Sequence, residues 1–309
     1  MIQSLKKIRA ARLSVTTAAL LAIIKLTIGI FTGSMAVLAS AVDSILDILM
    51  SSINLFAIKK AEEPADECHP FGHGKYETVA TLVQAFVIAI SGSWIIFEAV
   101  RRLLQGSALQ RVEGGIVVLI FSTLISFALS RYLRKVARET DSSALEADAL
   151  HFSMDVFTNL ALAGGLVILK LTGFTNIDPI LSILVGAYII IEAFKLVRHG
   201  MRDVLDAELP PSVLNDVTRL LNNSRENLVE YRNLRTRRAG SQKFMNLDLI
   251  VCRHMSIEEA HDIADKLEEK IKNDIPGSDV TIHLEPCLSD ECPGMENCSS
   301  DKMRVPENK

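Results

Sequence analysis

Residues 41–50, AVDSILDILM, and residues 149–157, ALHFSMDVF, each carry two ionisable side chains four positions apart inside an apolar run: Asp43 and Asp47, then His151 and Asp155. On a helix, positions i and i+4 share one face, so each pair aims at a common point. A carboxylate or imidazole at hydrocarbon depth is costly, and such groups face a bundle interior or an aqueous path. Two such helices side by side would present three carboxylates and one imidazole. That N/O set suits Zn²⁺ or another divalent first-row metal.

Apolar segments of spanning length surround these pairs, at 13–32, 36–58, 79–101, 113–133, 145–170 and 177–197, each near the twenty or so residues that a bilayer requires. The expected architecture is therefore a six-helix transmembrane bundle over residues 1–208. The fifth segment is interrupted by Glu146, Asp148, His151, Asp155 and Asn159, as a helix lining a polar cavity should be. Short turns are expected at Thr32-Gly33-Ser34 and Thr172-Gly173. Single polar residues in the spans, Lys25, Asn54 and Asn159, read as packing or snorkelling residues and stay outside the site.

Basic residues set the orientation. Lys6, Lys7, Arg9 and Arg12 precede the first span, Lys59, Lys60 and Lys75 follow the second, and Arg131, Arg134, Lys135 and Arg138 follow the fourth. The opposite loops offer mainly Arg101, Arg102, Arg111 and Lys170, so the positive-inside bias puts both termini in the cytoplasm of a plasma (inner) membrane. The basic N-terminal stretch lacks a small-residue cleavage signature and is read as retained. A formal net charge of -4, with basic residues scattered near segment ends, gives no footprint for nucleic acid.

After Leu209-Pro210-Pro211 charge rises and the apolar runs shorten, which marks a second domain over 209–287. PSVLNDVTRLLNNS and SIEEAHDIADKLEEKIKND have helical periodicity, whereas LRTRRAG, FMNLDLIV and DVTIHLEP alternate as strands. Helix, strand, strand, helix, strand implies an α+β sandwich with helices on one face of a small sheet. Ser256 and Glu259 form a capping box for the second helix, and Pro276-Gly277 turns the chain after it. Residues 288–309 are a tail.

Two further clusters contain metal-ligating side chains. PADECHPFGHGKYE, residues 64–77, holds Asp66, His69 and His73 within eight residues, three ligands of a site that water or a neighbour would complete. The competing account is a solvated loop with two incidental histidines. Cys68 beside them is either a fourth, soft ligand or a bystander, and Lys75 reads as an ion-pair residue. In the second domain Asp248, His261, His283 and Glu285 could converge on a binuclear site, the last two alternating on one face of one strand. Surface polarity would produce the same residues. Cys287, Cys292 and Cys298 lack the C-x-x-C spacing of common zinc modules, and auxiliary metal capture competes with unpaired cytosolic thiols.

DSILD, PADECHPFGHGKYE, HFSMD and GSDVTIHLEP, taken in order, resemble the cation diffusion facilitator family, close to its bacterial zinc, iron and cadmium efflux members. That resemblance covers the chain from the first span through DVTIHLEP. It implies a metal/proton antiporter, a Y-shaped homodimer in the lipid bilayer, and a ferredoxin-like cytoplasmic domain. It implies roles as well: Asp43, Asp47, His151 and Asp155 as the transport site, Asp66, His69 and His73 as a loop site, Asp248, His261, His283 and Glu285 as the cytoplasmic site. Lys75 and Asp206 match the family's interdomain salt bridge. The chain departs from the pattern at Arg232, where a histidine is frequent, and at Asp248 and Glu285, where relatives can carry His and Asp. Zn²⁺ is the first-choice metal by resemblance, with Fe²⁺, Cd²⁺, Co²⁺ and Mn²⁺ compatible with the same donors.

Two rival classes remain. A membrane metalloenzyme would need a base beyond the ligands, and no H-E-x-x-H motif is present. A metal-sensing scaffold that binds without transporting is the other; an intact membrane quartet argues against it.

Overall fold

A computed structural model of the chain describes residues 2–32, 35–105, 116–172, 176–223 and 230–288. It divides into two compact units, Met1–Val204 and Leu205–Lys309.

Among the described residues the first unit is built of six long helices: α1 (Ile2–Thr32), α2 (Met35–Ala61), α3 (Lys75–Gln105), α4 (Ile116–Thr140), α5 (Ser143–Thr172) and α6 (Ile177–Val204). Stretches within three of them, Gln3–Phe31, Lys75–Gln105 and Pro179–Val204, are long and apolar enough to cross a membrane by length and composition. α2 and α5 carry the ionisable pairs instead. The turns expected at Gly33-Ser34 and Gly173 lie outside the described residues.

Several helices outrun the apolar segments read from the sequence. α1 begins at Ile2 rather than 13, α3 at Lys75 rather than 79, and α4 and α6 run on to Thr140 and Val204. The extra turns are polar, so hydropathy marks hydrocarbon depth and not helix length. What keeps one such extension ordered is a buried charge cluster. Lys7 on α1 is 2% exposed and pairs with Glu62 and with Glu77 of α3, the latter at 3.0 Å. Ser142, at the start of α5, donates to the second oxygen of Glu77 at 2.6 Å. Lys7, counted above as a basic flanking residue, is thus an interior ion-pair residue.

Two apolar cores hold the bundle. One joins α1, α2, α4 and α5 around Ile58, Leu129, Leu133, Leu145 and Phe152. The other joins α3, α5 and α6 around Ile88, Met154, Ile189 and Ala193. α5 belongs to both. α3 and α6 approach closely because glycines meet at their crossing: a Cβ on Gly186 would lie 2.6 Å from Cγ1 of Ile96, and one on Gly92 would lie 2.8 Å from Cγ2 of Ile189. Small residues at a helix crossing are the usual means of close packing in lipid.

The second unit contains α7 (Pro211–Asn223), β1 (Glu230–Ala239), β2 (Gln242–Val251), α8 (Ile257–Asp274) and β3 (Ser278–Pro286). The sheet order is β1-β2-β3, with β1/β2 antiparallel and β2/β3 parallel. α7 and α8 bury Val217, Leu221, Leu267 and Ile271 against Met245, Leu247, Leu249 and Val251, the alternate residues of one face of β2. This is the αββαβ, ferredoxin-like arrangement expected. The capping box is formed, Ser256 Oγ accepting from the Glu259 N–H at 3.2 Å and Glu259 Oε2 from the Ser256 N–H at 2.9 Å. Gly277 supplies the positive φ, 75°, of the turn after α8.

Candidate metal centres

α2 and α5 bring three of the four intramembrane residues together. One ligand atom each of Asp47, His151 and Asp155 lies within 4.8 Å of the other two, close enough for a single cation with ordinary metal–oxygen and metal–nitrogen bonds. His151 Nε2 is 2.8 Å from Asp47 Oδ1, and both side chains are 14% exposed. Two lone pairs at that distance would repel, so one proton sits between nitrogen and oxygen. A metal bound through the same two atoms would have to displace it. Asp43, one helical turn before Asp47, has an exposed side chain and is not part of this group.

A buried polar column adjoins the three. Asp148 is fully buried; its Oδ1 accepts from Ser51 Oγ at 3.1 Å, while Ser51 accepts from Ser14 Oγ at 3.0 Å. Its Oδ2 has no hydrogen-bond partner among the described residues. Asn54 of α2 donates to Gln84 of α3 at 2.5 Å, which fits the packing role expected of it. Lys25 donates to Ser44 Oγ at 2.8 Å. By sequence, Asp148 is placed among the interruptions of the fifth span and outside the site. It precedes His151 by three residues and Asp155 by seven, the spacing of one helix stripe, and that spacing was available to find it.

The loop between α2 and α3 brings Asp66, His69 and His73 within the same 4.8 Å limit. The His69 backbone N–H donates to Asp66 Oδ1 at 2.6 Å, and His69 Nδ1 is 3.1 Å from the same oxygen. His73 Nε2 is 3.2 Å from Asp66 Oδ2. His73 Nδ1 faces the Pro64 carbonyl at 3.2 Å and so carries a proton, leaving Nε2 as the ring nitrogen turned toward the carboxylate. A carbonyl accepting from the far ring nitrogen in this way fixes the tautomer that a metal needs. Asp66 is held below the ordinary carboxylate range, first by the His69 backbone N–H and then by the His69 ring and the charge of His73. His73 is buried whereas Asp66 and His69 are half exposed. Cys68 is exposed and outside the group.

The four residues of the second unit are not drawn together in the same way. Asp248 and His283 are register partners on β2 and β3, and Glu285 follows two residues on, its carboxylate 4.0 Å from His283 Nε2. These three lie on the sheet face turned away from the helices. His261 is on α8, in the layer that packs against the other face, exposed and 3.2 Å from Asp265. Asp248 is engaged by Asn233, whose amide donates at 2.5 Å from a bulge with φ of 52°. Arg232 opposes Asp248 in register and donates to Glu230 at 2.7 Å. Its pKa is raised, first by that bond, with the charges of Glu230 and Glu285 adding to the effect. Cys287 is buried, continuing the sheet through its N–H to the Val251 carbonyl at 2.8 Å; Cys292 and Cys298 lie outside the described residues. Asp206 pairs with Arg237 at 3.6 Å.

Comparison with known proteins agrees with this architecture. The cation efflux transmembrane domain profile matches residues 11–205, and the profile of the cation efflux protein cytoplasmic domain matches 209–287. The cation-efflux pump FieF of Yersinia pestis (strain Pestoides F) is 36% identical over 284 residues, 91% of this chain and 93% of the relative. The same holds for FieF of Yersinia pseudotuberculosis serotype O:3. A solved chain of CzrB in its Zn form is 36% identical over 26% of this chain and 90% of that one, with a TM-score of 0.25. The metal-bound C-terminal domain of the CzcD transporter from Thermotoga maritima is 28% identical over 26% and 93%, with a TM-score of 0.24. This membrane protein belongs to the cation diffusion facilitator family.

Proposed function

We propose that the chain exports divalent metal cations, Zn²⁺ first, in exchange for protons. The observation that carries this reading is the convergence of Asp47, His151 and Asp155 midway along α2 and α5. The metal is the substrate, not a resident cofactor, and Asp43 joins its ligand set when α2 turns or shifts. Imidazole and carboxylate bind metal only when deprotonated, so the proton shared by His151 and Asp47 must leave before the metal enters. Exchange of one for the other is the coupling. With the site reached from the cytoplasm in one state and from outside in the other, rocking of the helices completes transport.

In this reading residues 1–208 form the transport domain, 209–287 the cytoplasmic domain and 288–309 an accessory tail. Both termini lie in the cytoplasm of the plasma membrane, as the basic residues support. Asp66, His69 and His73 form a second, half-exposed metal site, and Asp248, His283 and Glu285 a third. His261 reaches the third only through rearrangement or from a second copy. A homodimer joined through the cytoplasmic domain is supported by the class of domain matched at 209–287.

Zinc, cadmium, iron(II), cobalt and manganese compared in one competition assay, in proteoliposomes under an imposed proton gradient, test the reading. Gradient-driven zinc flux that the others displace supports it. Zinc binding without flux would make the chain a metal-binding scaffold.

A further inference from the structure

A cavity of about 680 Å³ opens on the flank of the bundle between α4, α5 and α6, outside both clusters of metal-ligating residues in the bundle. Its α4 wall is a single stripe: Phe127, Arg131, Arg134, Lys135 and Arg138 follow one another at i, i+4, i+7, i+8 and i+11, one side of a helix. α5 and α6 contribute an apolar wall of Val156, Phe157, Leu160 and Tyr188, with Phe157 and Tyr188 rings in edge contact at 5.1 Å. The cavity is therefore apolar at its Phe127 end and cationic at its Arg138 end. About 16 Å of helix rise separates the two.

The cations there are arranged and incompletely neutralised. Arg134 donates to Ser153 Oγ at 3.2 Å, and the Arg131 guanidinium lies over the Phe127 ring, 5.6 Å from its centroid. Glu139 is shared by Lys6 at 3.2 Å and Lys135 at 4.0 Å, and Glu192 of the adjoining pocket is paired with Lys195 at 2.6 Å. Glu146 is the remaining acid lining that pocket. Among the described residues none of Arg131, Arg134 and Arg138 meets a carboxylate. Arg134 and Arg138 thus share the adjoining pocket with Glu146, and Arg131 lines only the main cavity.

We infer that this cavity is a binding site for an anionic glycerophospholipid, its phosphate held by Arg134 and Arg138 and an acyl chain lying along Phe127, Phe157 and Leu160. The reading rests on the bundle being a membrane domain, which the family fixes, and not on transport. From Ile116 to Arg131 α4 rises about 22 Å, so the stripe passes from hydrocarbon depth into the headgroup layer at Arg131 to Arg138. Arginine forks match phosphate oxygens bidentately. Basic pockets between membrane helices are the usual seats of acidic headgroups. A soluble anion would use the same guanidiniums but leave the apolar wall uncovered.

The test is thermal unfolding of the full chain in detergent with added phosphatidylglycerol, phosphatidylcholine or inorganic phosphate. Phosphatidylglycerol should raise Tm by about 4 °C more than phosphatidylcholine, and millimolar phosphate should leave it unchanged. Arg134→Gln/Arg138→Gln should abolish the difference between the two lipids, and Arg134→Lys/Arg138→Lys should keep most of it. Equal shifts for both lipids, a preference that survives the glutamine pair, or a phosphate shift equal to that of phosphatidylglycerol would each overturn the assignment. If the glutamine pair does not fold, wild-type protein equilibrated with equal amounts of the two lipids decides by native mass spectrometry: selective retention of phosphatidylglycerol supports the site, and equal retention removes it.

Discussion

His151 Nε2 and Asp47 Oδ1 stand 2.8 Å apart across the contact between α5 and α2, with an Asp155 ligand atom within 4.8 Å of both. A proton holds the first two atoms together, and a divalent cation would hold all three. In the proposed exchange the same three groups select between the two ions.

Asp155→Ala removes one of the three converging side chains while α5 keeps its packing on both apolar cores. Zinc flux in proteoliposomes should fall by more than about tenfold, since even losing a residue that only hydrogen-bonds to a metal ligand costs that much. Unfolding and oligomeric state, read by circular dichroism and light scattering, should be unchanged. Flux at the wild-type rate would take Asp155 out of the mechanism.

Lys7→Met leaves Glu77, 0% exposed, without its cation. Breaking a buried pair from one side costs about 3–5 kcal/mol, whereas removing both charges is far milder. Denaturant unfolding should show the single variant markedly less stable than Lys7→Met/Glu77→Gln. Equal stability of the two would mean that the pair does not anchor the polar ends of α1 and α3.

How much of this was legible beforehand depended on sequence distance. The i,i+4 pairs on α2 and α5 and the triad inside PADECHPFGHGKYE are local, so periodicity and proximity exposed them. The capping box at Ser256 and Glu259 was local too. Lys7 and Glu77 are 70 residues apart, and counting basic residues near span ends records charge without revealing a partner. Asp148 could have been found from its helical spacing to His151. For Asp248, His261, His283 and Glu285, alternation along β3 identified a shared face, but nothing in spacing says that α8 holds His261 in the opposite layer.

Gly186→Val forces side-chain atoms into the place where an added Cβ would already sit 2.6 Å from Ile96 and 3.0 Å from the Gly92 carbonyl oxygen. α6 must move away from α3, and overpacking of this kind costs about 1–3 kcal/mol. A lowered Tm of the full chain checks it; an unchanged Tm would show that the crossing has slack.

Acid should loosen two exposed carboxylate contacts in the same pH range. Asp66 and Glu259 both titrate below their ordinary values, through the backbone N–H groups of His69 and Ser256 respectively. A depressed folded-state pKa contributes stability that is present above the unfolded value, near 4, and is lost as pH falls through the folded one. Amide hydrogen exchange at His69 and at Ser256 should therefore accelerate below about pH 4, corrected for the intrinsic rate. Exchange independent of pH there would deny both contacts.

The most direct measurement records zinc efflux and proton movement together, in proteoliposomes carrying wild-type protein and then Asp47→Asn/Asp155→Asn. Wild type should move protons against zinc in a fixed ratio, and both flows should vanish in the variant. Zinc flux with no proton counterflow, or coupled flow that persists without those carboxylates, would contradict a shared site for the two ions.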